Sequence, residues 1–189
     1  MKHTENAPAK LNLWLNVIGK RSDGFHDIES LIVPTSGLSD VLRFDVREGG
    51  GGLNFSCNVS ELTVGEDNLI IKALALIERE LEVKIEGCIE LEKNIPIGAG
   101  LGGGSSDAAA TLRSLNYIFK SSLSLEKLNN MAASLGSDVP FFVNSKPTIC
   151  KGRGDELIFY SGDLTAKPIV LIKPPFGVSS AWAYSNLGK

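Results

Sequence analysis

Long apolar runs are missing from this chain. No stretch of the 189 residues approaches the roughly 20 apolar residues that a membrane helix needs, so no membrane span is expected. Met1-Lys2-His3-Thr4-Glu5-Asn6 lacks the apolar core of a secretory signal. Cysteine is scarce: Cys57, Cys88 and Cys150 are odd in number, far apart and without C-x-x-C spacing. That excludes a disulfide framework and fits reduced thiols in the cytoplasm. With only two histidines beside them, no zinc-ligand pattern can be assembled, and no metal site is expected in the protein itself. A basic excess is missing too. The net charge of −3 gives no footprint for nucleic acid or an anionic membrane. Internal repeats and low-complexity tails are also absent.

What remains is an ordinary soluble composition, 43% hydrophobic and 22% charged, in a length that suits one domain with a real core. Its glycine is concentrated. Pro96-Ile97-Gly98-Ala99-Gly100-Leu101-Gly102-Gly103-Gly104-Ser105-Ser106-Asp107 is stripped of side chains, so its N–H groups are free to close around an anion. Behind it Ala108, Leu112, Leu115 and Phe119 fall at i, i+4, i+7 and i+11, which predicts a helix over 107–119. A glycine loop feeding a helix N-terminus offers free donors and the positive end of the dipole to phosphate.

The loop is not a Walker loop, because Gly104 stands where that pattern needs lysine. Gly98, Gly100 and Gly103 match the dinucleotide fingerprint literally. Its context is wrong: the segment upstream alternates like a half-solvated strand, and no carboxylate lies in 118–125. A dinucleotide-binding oxidoreductase therefore stays only an alternative, as does a flexible linker. The four-glycine run 49–52 has no helix behind it and reads as a hairpin connection.

Along the chain, Leu11, Leu13, Leu15 and Val17 alternate with Lys10, Asn12, Trp14 and Asn16. This predicts a strand with Lys10 and Asn12 on the side away from the core. Residues 19–26 read as a turn. A hairpin is expected next, with Leu42, Phe44 and Val46 inward and Leu53, Phe55, Cys57 and Val59 returning. Helices are predicted over 68–80, with Ile70, Ala73, Leu74, Ile77 and Leu81 on one stripe, and from the cap Ser124 to Leu135, ended by Gly136. Between lies a strand over 83–91. Residues 148–156 read as a turn-rich loop, 169–172 as a short interior strand, and 182–187 as the start of a helix. Strands and helices in mixed order indicate an α+β fold.

The motifs resemble those of the GHMP small-molecule kinases. The loop is one match. Pro8-Ala9-Lys10-Leu11-Asn12-Leu13 followed by Arg21-x-Asp23-Gly24-Phe25-His26 is a second, and Gly136-Ser137-Asp138-Val139-Pro140-Phe141-Phe142 a third. The triple glycine with Ser-Ser resembles the branch that phosphorylates the 2-hydroxyl of a cytidine-diphosphate-linked methylerythritol in the non-mevalonate isoprenoid pathway. The resemblance implies a fold related to the second domain of ribosomal protein S5, ATP carried with Mg²⁺, and that small molecule as partner, in a monomer or weak homodimer. Members continue into a second domain with a third glycine-rich motif. Residues from about 165 are expected to lead toward it, and this chain stops at Lys189. Nucleotide binding without turnover is accordingly an alternative, as is another GHMP kinase activity.

Phosphoryl transfer needs phosphate donors, a cation against developing charge, and a group that takes the acceptor's proton. Residues 96–106 supply the first. Asp138, before the apolar Val139-Pro140-Phe141-Phe142, is the candidate base, and a carboxylate against such a surface is expected to be desolvated. Lys10 is the candidate cation. By local sequence alone Asp138 reads first as a helix N-cap and Lys10 as a solvated lysine; the resemblance makes them the catalytic pair. Glu5, Asp23 and Asp27 rank below Asp138. Phe25-His26 offers an aromatic and an imidazole to a base; the resemblance puts the cytosine there, with Phe25 in place of the usual tyrosine and Tyr184 as a second aromatic. Taken alone His26 reads as a surface-loop histidine. Asn12 is a candidate substrate contact, Asn68 and Lys93 candidate nucleotide contacts. Ser105 or Ser106 is a candidate helper for Mg²⁺, although such hydroxyls equally serve as phosphate donors or caps.

Overall fold

A computed structural model describes residues 1–60, 62, 65, 67–164, 168–174, 176–178 and 180–187. The longest strand, β2 (His26–Glu48), is the spine of a six-stranded sheet, and β1 (Lys2–Lys20) runs antiparallel along it. On its other side β2 pairs with β4 (Ile85–Glu92) through its C-terminal half and with β5 (Thr148–Gly152) through its N-terminal half. The outer positions belong to β3 (Leu53–Cys57), parallel to β4, and β6 (Glu156–Phe159), antiparallel to β5.

Alternation along β2 explains the layering. Leu42, Phe44 and Val46 are buried while Arg43 and Asp45 are exposed, so one face of the sheet takes the core and the other faces water. On the wet face Arg43 pairs with Glu92 and Arg47 with Glu86. The dry face is covered by α1 (Leu69–Leu81), α2 (Gly103–Ile118), α3 (Leu125–Leu135) and α4 (Val139–Asn144). The result is the expected α+β fold. Ala108, Leu112 and Leu115 are fully buried; truncating a leucine in such a place costs roughly 2–5 kcal/mol. The helix that carries the glycine loop is thereby pinned to the core.

Several helix ends follow local chemistry. Asn68 caps α1 by accepting from the Ile70 N–H, and Ser124 caps α3 by accepting from Lys127. Gly136 ends α3, as expected. A short α5 (Ser180–Ser185) overlaps the helix expected at 182–187.

Other expectations are corrected. The β1 alternation does not mark a buried apolar face: Leu13 and Leu15 are 47% exposed, whereas Lys10 is only 9% exposed. Register shifts between Pro8 and Lys10 and between Asn12 and Trp14 each reset the inside–outside alternation, which a one-residue slip inverts. The 42–59 hairpin does not form, because β4 inserts between β2 and β3. Residues 148–156 are not a loop but β5, a turn and the start of β6. Residues 169–172 form no strand; their side chains lie exposed, Ile172 at 88%. The 107–119 helix begins earlier, at Gly103, so the last glycines form its first turn.

Candidate active site

The glycine loop leaves β4 and enters α2 with Gly98, Gly100 and Gly102 all left-handed, φ +67°, +71° and +70°. That alternation is suited to an anion-binding nest. Gly102 is the constrained one. A Cβ there would stand 2.7 Å from the Phe142 ring and 3.0 Å from Lys10 Cγ, so only glycine lets the loop descend onto β1 and α4. The first turn of α2 carries no acidic side chain to oppose an anion. The loop walls a cleft of about 260 Å³. Pro96, Ile97, Gly98, Ala99, Gly100, Leu101, Gly102, Gly103 and Gly104 line it, facing Asn68, Leu69 and Ile70 at the start of α1, with Leu62 and Leu91 adding apolar wall. A polar rim of main chain and an apolar wall suit a phosphate chain and an aromatic base.

Lys10 joins this cleft to a second group of residues. Its backbone N–H donates to Leu101 O in the loop at 2.9 Å. Its Nζ lies 3.7 Å from Asp138 Oδ2 and donates to Asn12 Oδ1 at 2.7 Å. Asn12 Nδ2 then donates to the Ser30 hydroxyl, which donates to Trp14 O. This line of hydrogen bonds holds both Lys10 and Asn12 across the β1–β2 ladder. Asp138 stands at the N-cap position of α4 yet makes no cap hydrogen bond. The capping alternative therefore fails, and the carboxylate turns to Lys10. The expected desolvation of Asp138 is corrected as well: its side chain is 46% exposed. Cys150 borders the same hollow. Burial first, and then the charge of Asp138, push its thiol up to about 11, which leaves it an unreactive thiol at neutral pH.

The aromatic group is assembled too. His26 and Tyr184 stack with ring centroids 5.2 Å apart and 22° between planes. Phe25 is half exposed, and the guanidinium of Arg153 lies over its ring at 3.8 Å. Burial, then the charge of Asp138, raise the Tyr184 phenol above its ordinary value. The lower-ranked carboxylates are engaged elsewhere: Glu5 with Arg113, Asp23 and Asp27 with Arg21.

Lys93 and the two serines differ from the rest. Lys93 reaches the cleft from beneath, its ammonium held by Asp40 and Asp107. Neither Ser105 nor Ser106 lines the cleft, and Ser106 is fully buried with its hydroxyl unpartnered. Sequence reasoning passed over Asp40, Asp107, Ser30 and Arg153. Asp107 carried the one available signal, a carboxylate fixed between Ser106 and three alanines on a helix that must be buried.

Residues 68–146 match the family model described as the GHMP kinases N terminal domain. The chain is 45% identical over 183 residues to a 4-diphosphocytidyl-2-C-methyl-D-erythritol kinase of Prochlorococcus marinus (strain NATL2A), an alignment covering 96% of this chain and 57% of that protein. A kinase of the same name from Heliobacterium modesticaldum (strain ATCC 51547 / Ice1) is 40% identical over 182 residues, 96% of this chain and 57% of the other. A solved 4-(cytidine 5'-diphospho)-2C-methyl-D-erythritol kinase superposes with a TM-score of 0.69 at 37% identity, covering 84% of this chain and 55% of that one. Methanococcus jannaschii mevalonate kinase shares the fold, with TM-score 0.62 at 13% identity over 86% of this chain and 56% of its own. The chain spans about 57% of the length of the curated relatives it matches. The sheet also disposes of the dinucleotide alternative, because the strand before the loop runs antiparallel to the central strand.

Proposed function

We propose that this chain supplies the ATP site and the catalytic pair of a kinase that phosphorylates the 2-hydroxyl of 4-diphosphocytidyl-2-C-methyl-D-erythritol. The observation that carries the reading is Lys10: its main chain is bonded to the phosphate loop while its ammonium faces Asp138. The base and ribose of ATP occupy the wall formed by Asn68, Leu69 and Ile70, and the triphosphate lies along Gly98–Gly104. The acceptor alcohol sits at Asp138, with its cytosine toward Phe25, His26 and Tyr184. Its oxygen attacks the γ-phosphorus, ADP departs, and Asp138 takes the alcohol's proton. Lys10 pairs with Asp138 and lies beside the charge that develops on the transferring group. Asn12 orients the lysine and reaches the acceptor.

Mg²⁺ enters with the triphosphate. Neither Ser105 nor Ser106 lines the cleft, and among the described residues no group of three or more His, Cys, Asp or Glu side chains is placed to hold the ion. Three free cysteines fit the reducing cytoplasm. A coupled ADP-release assay tests the proposal: release must require the cytidine-linked alcohol, and turnover of homoserine or mevalonate in its place would point to a sister activity. A second reading, nucleotide binding without turnover by this stretch alone, is favoured by the open apolar surface at Leu13, Trp14 and Leu15. Calorimetric ATP binding with no phosphate transfer selects it.

A further inference from the structure

One buried ammonium brackets the glycine loop at both ends. Lys93 follows the last residue of β4 and is 9% exposed. Its Nζ donates to Asp40 Oδ2 at 2.5 Å and to Asp107 Oδ2 at 2.6 Å. Asp40 Oδ1 in turn accepts the N–H groups of Asn94, at 2.6 Å, and Ile95, at 2.8 Å, the last residues before the loop. Asp107 lies just after the loop, in the second turn of α2. The packing between them is tight: a Cβ on Gly103 would stand 2.8 Å from Lys93 Nζ and 3.1 Å from Ile95.

Lys93 has two conceivable jobs, to take phosphate or to hold the loop. Asp40 and Asp107 flank its ammonium on two sides, so the cluster offers a polyphosphate little net attraction. Asp107 Oδ1 accepts no hydrogen bond, so Lys93 is the group that holds this carboxyl in place. We propose that Lys93 is a positioning residue: with Asp40 and Asp107 it clips the two ends of the phosphate loop together and sets the loop's shape without touching phosphate. This deepens the ATP reading and rests on it only for the binding measurement below.

Asp107→Asn separates the two jobs, measured at about pH 8 so that the wild-type carboxyl is ionised. Removing a negative charge beside a polyphosphate would by itself tighten ATP binding. Loss of the clip does the opposite, raising the ATP Kd about tenfold through misplacement of the loop. It also speeds thermolysin nicking at Ile97 and Leu101 about tenfold, because local opening exposes them. Asp40→Asn, at a residue that does not line the cleft, must behave alike. ATP binding as tight as wild type or tighter, or nicking unchanged in a folded variant, overturns the proposal. If the wild type binds no ATP, the reading of the cleft fails and nicking alone decides the clip. Should both variants fail to fold, wild-type nicking decides: loop cleavage limited by global unfolding supports the clip, and cleavage orders of magnitude faster overturns it.

Discussion

Lys10 Nζ stands 3.7 Å from Asp138 Oδ2 while the N–H of the same lysine donates to Leu101 in the glycine loop. One residue thus couples the glycine loop, where we place the phosphates, to Asp138, where we place the alcohol. Because Asp138 itself lines only the small hollow and not the nucleotide cleft, its loss should separate binding from chemistry. Asp138→Ala is expected to slow phosphate transfer about 10²–10⁴-fold with the ATP Kd nearly unchanged. ADP release and calorimetry on the same preparation check this. An ATP affinity that drops in step with the rate would show that the division of roles is wrong.

Two neighbouring glycines should respond in opposite ways. Gly102→Ala places a methyl group into the Phe142 ring and Lys10 at a left-handed residue, with a cost of roughly 1–3 kcal/mol for the backbone alone. Gly104 is helical, and its nearest neighbour, Leu69, is 3.9 Å away. Gly104→Ala should therefore leave stability unchanged or raise it by up to about 1 kcal/mol, yet weaken ATP binding by blocking approach to the main chain. Urea unfolding and calorimetry on both variants provide the comparison. A destabilised Gly104→Ala chain would contradict the packing described.

How much of this was legible beforehand depended on range. The cap at Ser124 and the loop at 98–104 rest on neighbours within four residues, and their chemistry can be read in order. Lys10, Asp138 and the aromatic cluster were found through motif resemblance, since nothing local distinguishes Asp138 from a helix cap. Sheet order was hidden: whether β3 returns beside β2 or beyond β4 is settled by which faces bury the most, not by the turn at 49–52. The β1 face was misread because its bulges come from pairing with β2. Lys93 read only as a nucleotide contact, because its ion-pair partner Asp40 lies 53 residues away in the chain.

The aromatic group makes its own prediction. At 5.2 Å, the His26 and Tyr184 rings already touch one another, and a base between them needs about 7 Å of centroid separation, twice the stacking distance. Cytosine must therefore part the rings or stack on an outer face. Adding CMP should shift the His26 and Tyr184 ring resonances in an NMR titration, and Tyr184→Ala should weaken CMP binding by about 1–3 kcal/mol, the worth of one stacked base. ATP affinity should be unaffected. Resonances that ignore CMP, or a Tyr184→Ala chain that binds it normally, would remove the base from this corner.

Stability should also fall as the solution becomes less acidic. Burial, the largest influence, together with the Asp40 carboxylate outweighs Lys93 and pushes the Asp107 carboxyl from 3.8 up to about 7. Between those two values the unfolded chain has released this proton while the folded chain retains it. The stabilising contribution is thus complete below the lower value and lost as pH rises through the upper one. Three units correspond to about 4 kcal/mol at most. Lys93, for which the two carboxylates outweigh desolvation, is shifted upward and stays charged throughout this range. Asp107→Asn has no proton to release, so its stability should vary less between about pH 4 and 8 than that of the wild type. Urea unfolding midpoints across that range, taken on both proteins, give the answer: parallel curves would mean that Asp107 does not hold its proton in the folded chain.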